Sequence, residues 1–189
     1  IEGYKLLEPV LAHLSWFFSS EAEAMMIANT FGFRLRGNTQ EHRNKDFLCR
    51  LAVDYARPNV PQIFGITAGT DITLVYHHPS GKSIGPLTVK SRYVIADADK
   101  FVGAGDSFRA GFEVEWMKGR DYSQKFKEGK IKEADLERLC LIGHLMAACY
   151  VTRTPADQYG NIPHYRKMAE VVDSGRDFQE KGALLRALK

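Results

Sequence analysis

The 189-residue sequence predicts an α/β fold. Three observations lead there. Two apolar runs, PQIFGIT and DITLVYHH, are separated only by AGT, as two paired strands would be. Stretches from about Thr39 to Ala56 and from about residue 132 to 151 carry apolar residues at helical spacing. A glycine-rich loop, VGAGD, sits between the strand-like SRYVIAD, 91 to 97, and a helical stretch at about 106 to 118.

The elements follow in order. YKLLEPVLAHL reads as a short helix with Pro9 in a bend, and LSWFF, 14 to 18, as a buried strand. Ser19 and Ser20 are cap candidates for EAEAMMIANTF, which is rich in helix formers and ends at Gly32. The helix from about Thr39 to Ala56 presents Phe47, Leu48, Leu51, Ala52 and Tyr55 as one buried stripe. PSGK, 79 to 82, is a turn, so residues 72 to 90 can include a hairpin. Helices are expected at about 106 to 118, 132 to 151 and 163 to 174, with the charged GRDYSQKFKEGKIKEAD at the surface. No repeat, low-complexity segment or linker divides the chain, which predicts a single domain over residues 1 to 189.

Composition narrows the functional classes. The chain is 44% hydrophobic and 26% charged, as soluble globular proteins are. A net charge of +3 is too mild to argue for a nucleic acid or membrane-surface partner. No apolar run reaches the length of a membrane span. The three cysteines, Cys49, Cys140 and Cys149, form no CxxC pair. The last two fall in apolar helical text and read as buried thiols, which suits a reducing, cytoplasmic setting. The chain opens IEGYKLLEPV without an initiator Met, so a longer natural polypeptide is expected.

The chemistry concentrates in Gly103-Ala104-Gly105-Asp106. Glycine permits close backbone approach, and the unpartnered amides of a helix start favour an anion. A phosphate can be held there without a cationic side chain, and an adjacent carboxylate can take a proton from an attacking hydroxyl. A tight strand-to-helix turn capped by Asp106 would produce the same four residues. The Gly-Lys-Ser/Thr ending of a Walker A loop is absent.

GAGDSFRAGF resembles the second signature of the ribokinase-like (PfkB) carbohydrate kinases, in which Gly-Ala-Gly-Asp precedes an aromatic and a helix of small residues. Other landmarks occur in the family's order. LSWFFSSEAEA is similar to its Asn-x-x-Glu element, and GITAGTDITLVY to the strand–glycine turn–strand around the nucleotide phosphates. IGHLMAACYVTRTPA resembles the helix and loop beside the adenine, and NIPHYRKMAEVV the closing Ile-Pro and final helix. Together these cover roughly residues 5 to 173.

The resemblance implies a three-layer αβα sandwich truncated at its N-terminus, without the sugar-binding half and lid. It implies ATP-dependent phosphorylation of a sugar hydroxyl. Asp106 would be the catalytic base, and Gly103, Ala104 and Gly105 the anion hole. Glu23 would organise Mg²⁺ through water, and Thr67, Gly69 and Thr70 would line the phosphates. His144 would stand beside the adenine. Each has a plainer counterpart: a helix acid, a hairpin turn and a satisfied core histidine.

The sequence also departs from the pattern. Ser20 replaces the Asn of Asn-x-x-Glu, and Lys100-Phe101 replaces the Asp-Thr before Gly-Ala-Gly-Asp. Lys100 cannot ligate a monovalent cation, so either its ammonium substitutes for the ion or that site is absent. A shifted alignment through Asp97 or Asp99 would restore an acid, while Pro155 in place of a Gly again disfavours the ion site. Missing early strands would leave sheet edges open, so a homodimer or a longer polypeptide is expected. Two other readings remain: a non-catalytic nucleotide-binding or regulatory remnant, and a phosphotransferase of the same fold acting on a nucleoside or vitamin precursor.

Overall fold

The computed structural model describes residues 2–80, 83–96, 102–119, 121–152 and 162–189. The positions of Asp97, Asp99, Lys100, Phe101, Arg153 and Pro155, and the second half of the 79–82 turn, lie outside them. The chain gathers into two compact units, Ile1–Thr88 with Gln124–Glu133, and Val89–Ser123 with Ala134–Lys189.

The first unit is a sheet covered by helices. A 3₁₀ turn over Glu2–Leu7 leads into α1 (Glu8–Leu11), with Pro9 in its first turn, where a missing amide costs nothing. β1 (Trp16–Ser20) runs parallel to β2 (Gln62–Ala68), which forms an antiparallel hairpin with β3 (Asp71–His77). β4 (Ile84–Lys90) completes the order β1-β2-β3-β4. Because β1 ends that order, Trp16, Phe17 and Phe18 are half-buried rather than the fully buried strand expected of LSWFF.

α2 (Glu21–Thr30) and α3 (Gln40–Arg50) pack on β1, β2 and β3. The predicted stripe is real. Phe47, Leu48, Leu51 and Ala52 are buried with Leu11, Ala24, Ile27, Phe64 and Ile66, and Tyr55 packs against them. The helical path continues past Arg50 as a π-type turn, Leu51–Tyr55. Buried Gln62 ties the N-terminal segment to β2. Its amide donates to the carbonyls of Leu11 and Leu14, and its oxygen accepts from Arg57 N. On β3, the Tyr76 hydroxyl donates to the carbonyl of Phe126, whose ring also packs on Tyr76.

The second unit is helical: α4 (Ala104–Lys118), most of α6 (Glu133–Val151), α7 (Tyr165–Asp173) and α8 (Lys181–Ala187). α6 is buried over most of its circumference, as a core helix is. It crosses α4 at two glycines. A Cβ on Gly111 would stand 2.9 Å from the Gly143 Cα, and one on Gly143 would stand 2.7 Å from the Phe108 ring. Cys140 and Cys149 are buried and unbridged, as their apolar setting predicts.

Two expectations are corrected. Residues 91–96 form no strand. Tyr93 and Ile95 are buried and Val94 exposed, so the alternation exists without a ladder. The backbone is committed elsewhere: Tyr93 N donates to the Ser91 hydroxyl, and the Arg92 carbonyl accepts from Phe178 N. The charged stretch between α4 and α6 is also more than surface. It contains α5 (Tyr122–Lys127), and Tyr122, Phe126, Ile131 and Asp135 are buried.

Candidate functional site

The predicted residues fall into two groups, one in each compact unit. In the first, the chain leaves β1 at Ser20 and turns at once into α2. Ser20 is the N-cap: its hydroxyl accepts from Glu23 N at 3.2 Å, and Glu23 Oε2 accepts from Ser20 N at 2.7 Å. This reciprocal capping box satisfies two orphan donors of the helix start. It gives Glu23 a structural task and fixes its carboxylate at the C-terminal end of the parallel pair. Ser20 is in register with Thr67, so the two predicted elements meet there. The Thr67 hydroxyl donates to the Ser19 carbonyl at 3.3 Å. Gly69 and Thr70 form the exposed two-residue tip of the β2–β3 hairpin, with Gly69 at φ 60° and the Thr70 hydroxyl on Asp71 Oδ1. A Cβ on Gly69 would meet nothing within 4 Å, so the backbone at this tip is open to approach.

In the second unit, Gly103 is the N-cap of α4 in the left-handed region, φ 90°. A side chain there would be strained and would also stand 2.7 Å from the Tyr150 hydroxyl. The Gly103 carbonyl accepts the first helical bond, from Ser107 N at 2.9 Å. The amides of Ala104, Gly105 and Asp106 therefore lie in the first turn, where no intrahelical acceptor exists. Gly105 has open space where a Cβ would be. Asp106 is 82% exposed and turned to solvent, and its Oδ1 accepts from Arg109 Nη1 at 3.1 Å. An anion on these amides and an exposed carboxylate one turn wide are thus compatible in one place. Arg109 was missed by sequence reasoning, although its spacing of three from Asp106 on a helix was a readable signal.

His144 lies on α6 within the second unit, 8% exposed, its ring 5.2 Å from that of Phe108. Nδ1 is buried and has no hydrogen-bond partner among the described residues. Burial pushes its pKa down to about 4, so the ring is neutral near pH 7. A neutral imidazole with an unused ring nitrogen is compatible with both a core residue and a base contact. The lowered value has a consequence for stability. The unfolded chain binds this proton below about pH 6.5 and the folded chain only near pH 4, so the contribution is complete above pH 6.5 and is lost as pH falls toward 4. We predict a loss of about 3 kcal/mol across that window from this residue. Urea denaturation of the chain and of His144→Leu should show the variant with a flatter pH dependence; identical slopes would reject the assignment.

Among the described residues no cluster of three or more His, Cys, Asp or Glu side chains could hold a metal ion. The predicted metal contact, the Glu23 carboxylate, stands in the capping box at the start of α2. A lone carboxylate there would suit only an outer-sphere contact to a hydrated cation. Among the described residues no helix is long and apolar enough to cross a membrane.

No family model matches the chain, and no curated protein matches it. Solved structures do. A nucleoside kinase from Methanocaldococcus jannaschii, described as an archaeal member of the ribokinase family, matches with a TM-score of 0.54 at 20% identity, covering 90% of this chain and 44% of its own. A fructokinase from Xylella fastidiosa, with bound ATP, matches with a TM-score of 0.60 at 13% identity, covering 91% and 46%. The adenosine kinase of Trypanosoma brucei brucei matches with a TM-score of 0.53 at 21% identity, covering 79% and 38%. The chain has the ribokinase-like α/β fold, and it spans less than half the length of these kinases.

Proposed function

We propose that the chain is the nucleotide-binding half of a ribokinase-like phosphotransferase, one partial domain of a protein that transfers a phosphoryl group from ATP to a hydroxyl of a sugar or sugar-like compound. The observation that carries this reading is the start of α4, where a left-handed Gly103 presents first-turn amides beside an exposed Asp106. The shared fold with kinases of fructose, adenosine and other nucleosides supports it but does not select an acceptor.

In this reading the amides of Ala104, Gly105 and Asp106 take the charge that builds on the transferring phosphoryl oxygens. The carboxylate of Asp106 accepts the proton of the acceptor hydroxyl as its oxygen attacks phosphorus and the bond to ADP breaks. Thr67, Gly69 and Thr70 offer backbone and hydroxyl groups to the remaining phosphates, and His144 offers one face to the base. Mg²⁺ would neutralise the phosphate oxygens, held through water by Glu23.

Calorimetry with ATP, followed by a phosphorylation screen over sugars and nucleosides, tests the reading. Micromolar to millimolar ATP binding by the chain, with turnover of at least one alcohol by the whole polypeptide that contains it, is the expected result. Binding without turnover on any acceptor would support a nucleotide-binding remnant, and absence of ATP binding would reject both.

A further inference from the structure

The connection between α2 and α3 is built like a strand without a sheet. Over residues 33–37 the chain makes no turn, bend or ladder. Exposure alternates along it: Phe33 and Leu35 pack against the core of the first unit, and Arg34 and Arg36 are exposed. One backbone edge is held by side chains of α3. The Arg34 carbonyl accepts from Arg50 Nη2 at 3.1 Å, and Arg36 N donates to Asp46 Oδ2 at 2.9 Å. Asp46 and Arg50 also pair with each other at 3.0 Å, and the Arg50 guanidinium lies 5.6 Å from the centre of the Phe33 ring. That ion pair stands where a neighbouring strand would stand. On the opposite edge Phe33 N donates to the Ala28 carbonyl, and Leu35 follows with neither its N–H nor its C=O partnered among the described residues.

Water can satisfy those two groups, but a backbone already fixed in extended form loses little further freedom when another strand pairs with it. The charge beside it selects the strand. Neither Arg34 nor Arg36 has an acid partner among the described residues, while the nearby acids of α3, Glu41 and Asp46, are paired with Lys45 and Arg50. On an antiparallel partner, the residue opposite Leu35 would point to the core side, and its two neighbours would stand beside Arg34 and Arg36. We propose that residues 33–37 are a docking edge for an extended acidic segment of a partner protein, patterned acid–apolar–acid. Leu35 exchanges both backbone bonds with the apolar residue, and the two arginines take the flanking carboxylates. None of the residues of the proposed reaction is used, so this edge stands or falls apart from it.

An NMR titration of the full 189-residue chain with a short acetylated, amidated peptide of alternating Glu and Val tests the edge. The Leu35 amide should shift most, with a Kd of about 1 mM or tighter, and its hydrogen exchange should slow at least about five-fold at saturation. The double variant Arg34→Gln/Arg36→Gln should weaken binding about ten-fold with an unchanged thermal melt, because neither side chain has an internal partner among the described residues. N-methylation of the peptide's central Val should abolish the Leu35 shift, since it removes one of the two backbone bonds and blocks pairing. Equal binding of the N-methylated peptide would reduce the edge to charge attraction. Equal binding of a single-stranded oligonucleotide of the same net charge would make it a general polyanion surface. Either result overturns the proposal, as does a Leu35 amide unmoved at about 5 mM peptide.

Discussion

If the proposed function holds, Asp106→Asn is expected to lower kcat about 1,000-fold in the active polypeptide and to leave the nucleotide Kd within about five-fold. The separation follows from what the side chain touches. Asp106 is exposed, its one contact among the described residues is the Arg109 pair, and it lies in the first turn rather than in the core. Asparagine keeps its volume and leaves the amides of Ala104 and Gly105 where they are. What disappears is a carboxylate able to accept a proton. Stability changes by no more than about 1 kcal/mol, from the lost acid at the helix start and the lost surface pair. The kinetic loss therefore cannot be assigned to unfolding. Steady-state kinetics with the preferred acceptor and a thermal melt of the same preparations check the two halves. A kcat within ten-fold of the parent would remove Asp106 from the proton transfer.

The backbone geometry behind this prediction was legible in the sequence, while the role of Asp106 came from the family resemblance. A helix start with Gly-Ala-Gly and an acid has few conformations available, and the structure has Gly103 left-handed with the helix beginning at Ala104. The same holds for Ser20 and Glu23, whose spacing of three is a capping box. It holds for the β2–β3 hairpin too, where two β-branched runs flank a glycine-bearing tip. What sequence periodicity hid depended on distant partners. Tyr93-Val94-Ile95 alternates like a strand, yet Phe178, more than eighty residues later, takes the Arg92 carbonyl. Gln62 looks like the polar edge of an apolar run and is a buried bracket for the N-terminal segment. Tyr122 and Phe126 are apolar residues on a short helix amid lysines, too few to announce a buried face.

The largest stability effect is expected at a residue with no sequence signal at all. Glu115 is an acid on a helix of mixed charge, and it is fully buried. Its Oε1 accepts from Tyr122 Oη at 2.9 Å and Arg138 Nε at 2.8 Å, and its Oε2 accepts from Tyr165 Oη at 2.9 Å. Arg138 also pairs with Asp173. One carboxylate thereby joins α4, α5, α6 and α7. Burial, and then the neighbouring carboxylate, pushes the Tyr122 phenol well above its ordinary range, so it remains a donor. Glu115→Ala strips three donors of their acceptor and leaves a cavity. We expect a loss of about 3–5 kcal/mol in urea unfolding. Glu115→Gln keeps the volume and one acceptor and should lose less, while Tyr165→Phe removes one of the three bonds to the carboxylate for about 1 kcal/mol. If Glu115→Ala costs no more than Tyr165→Phe, the carboxylate is not the hub. The consequence reaches the N-terminal end of α4, the proposed phosphate site, because the amides at Ala104–Asp106 are aimed only as well as that helix is held. Loss of Glu115 should therefore weaken tripolyphosphate binding, in a variant whose first turn is unaltered in sequence, at temperatures below its unfolding transition.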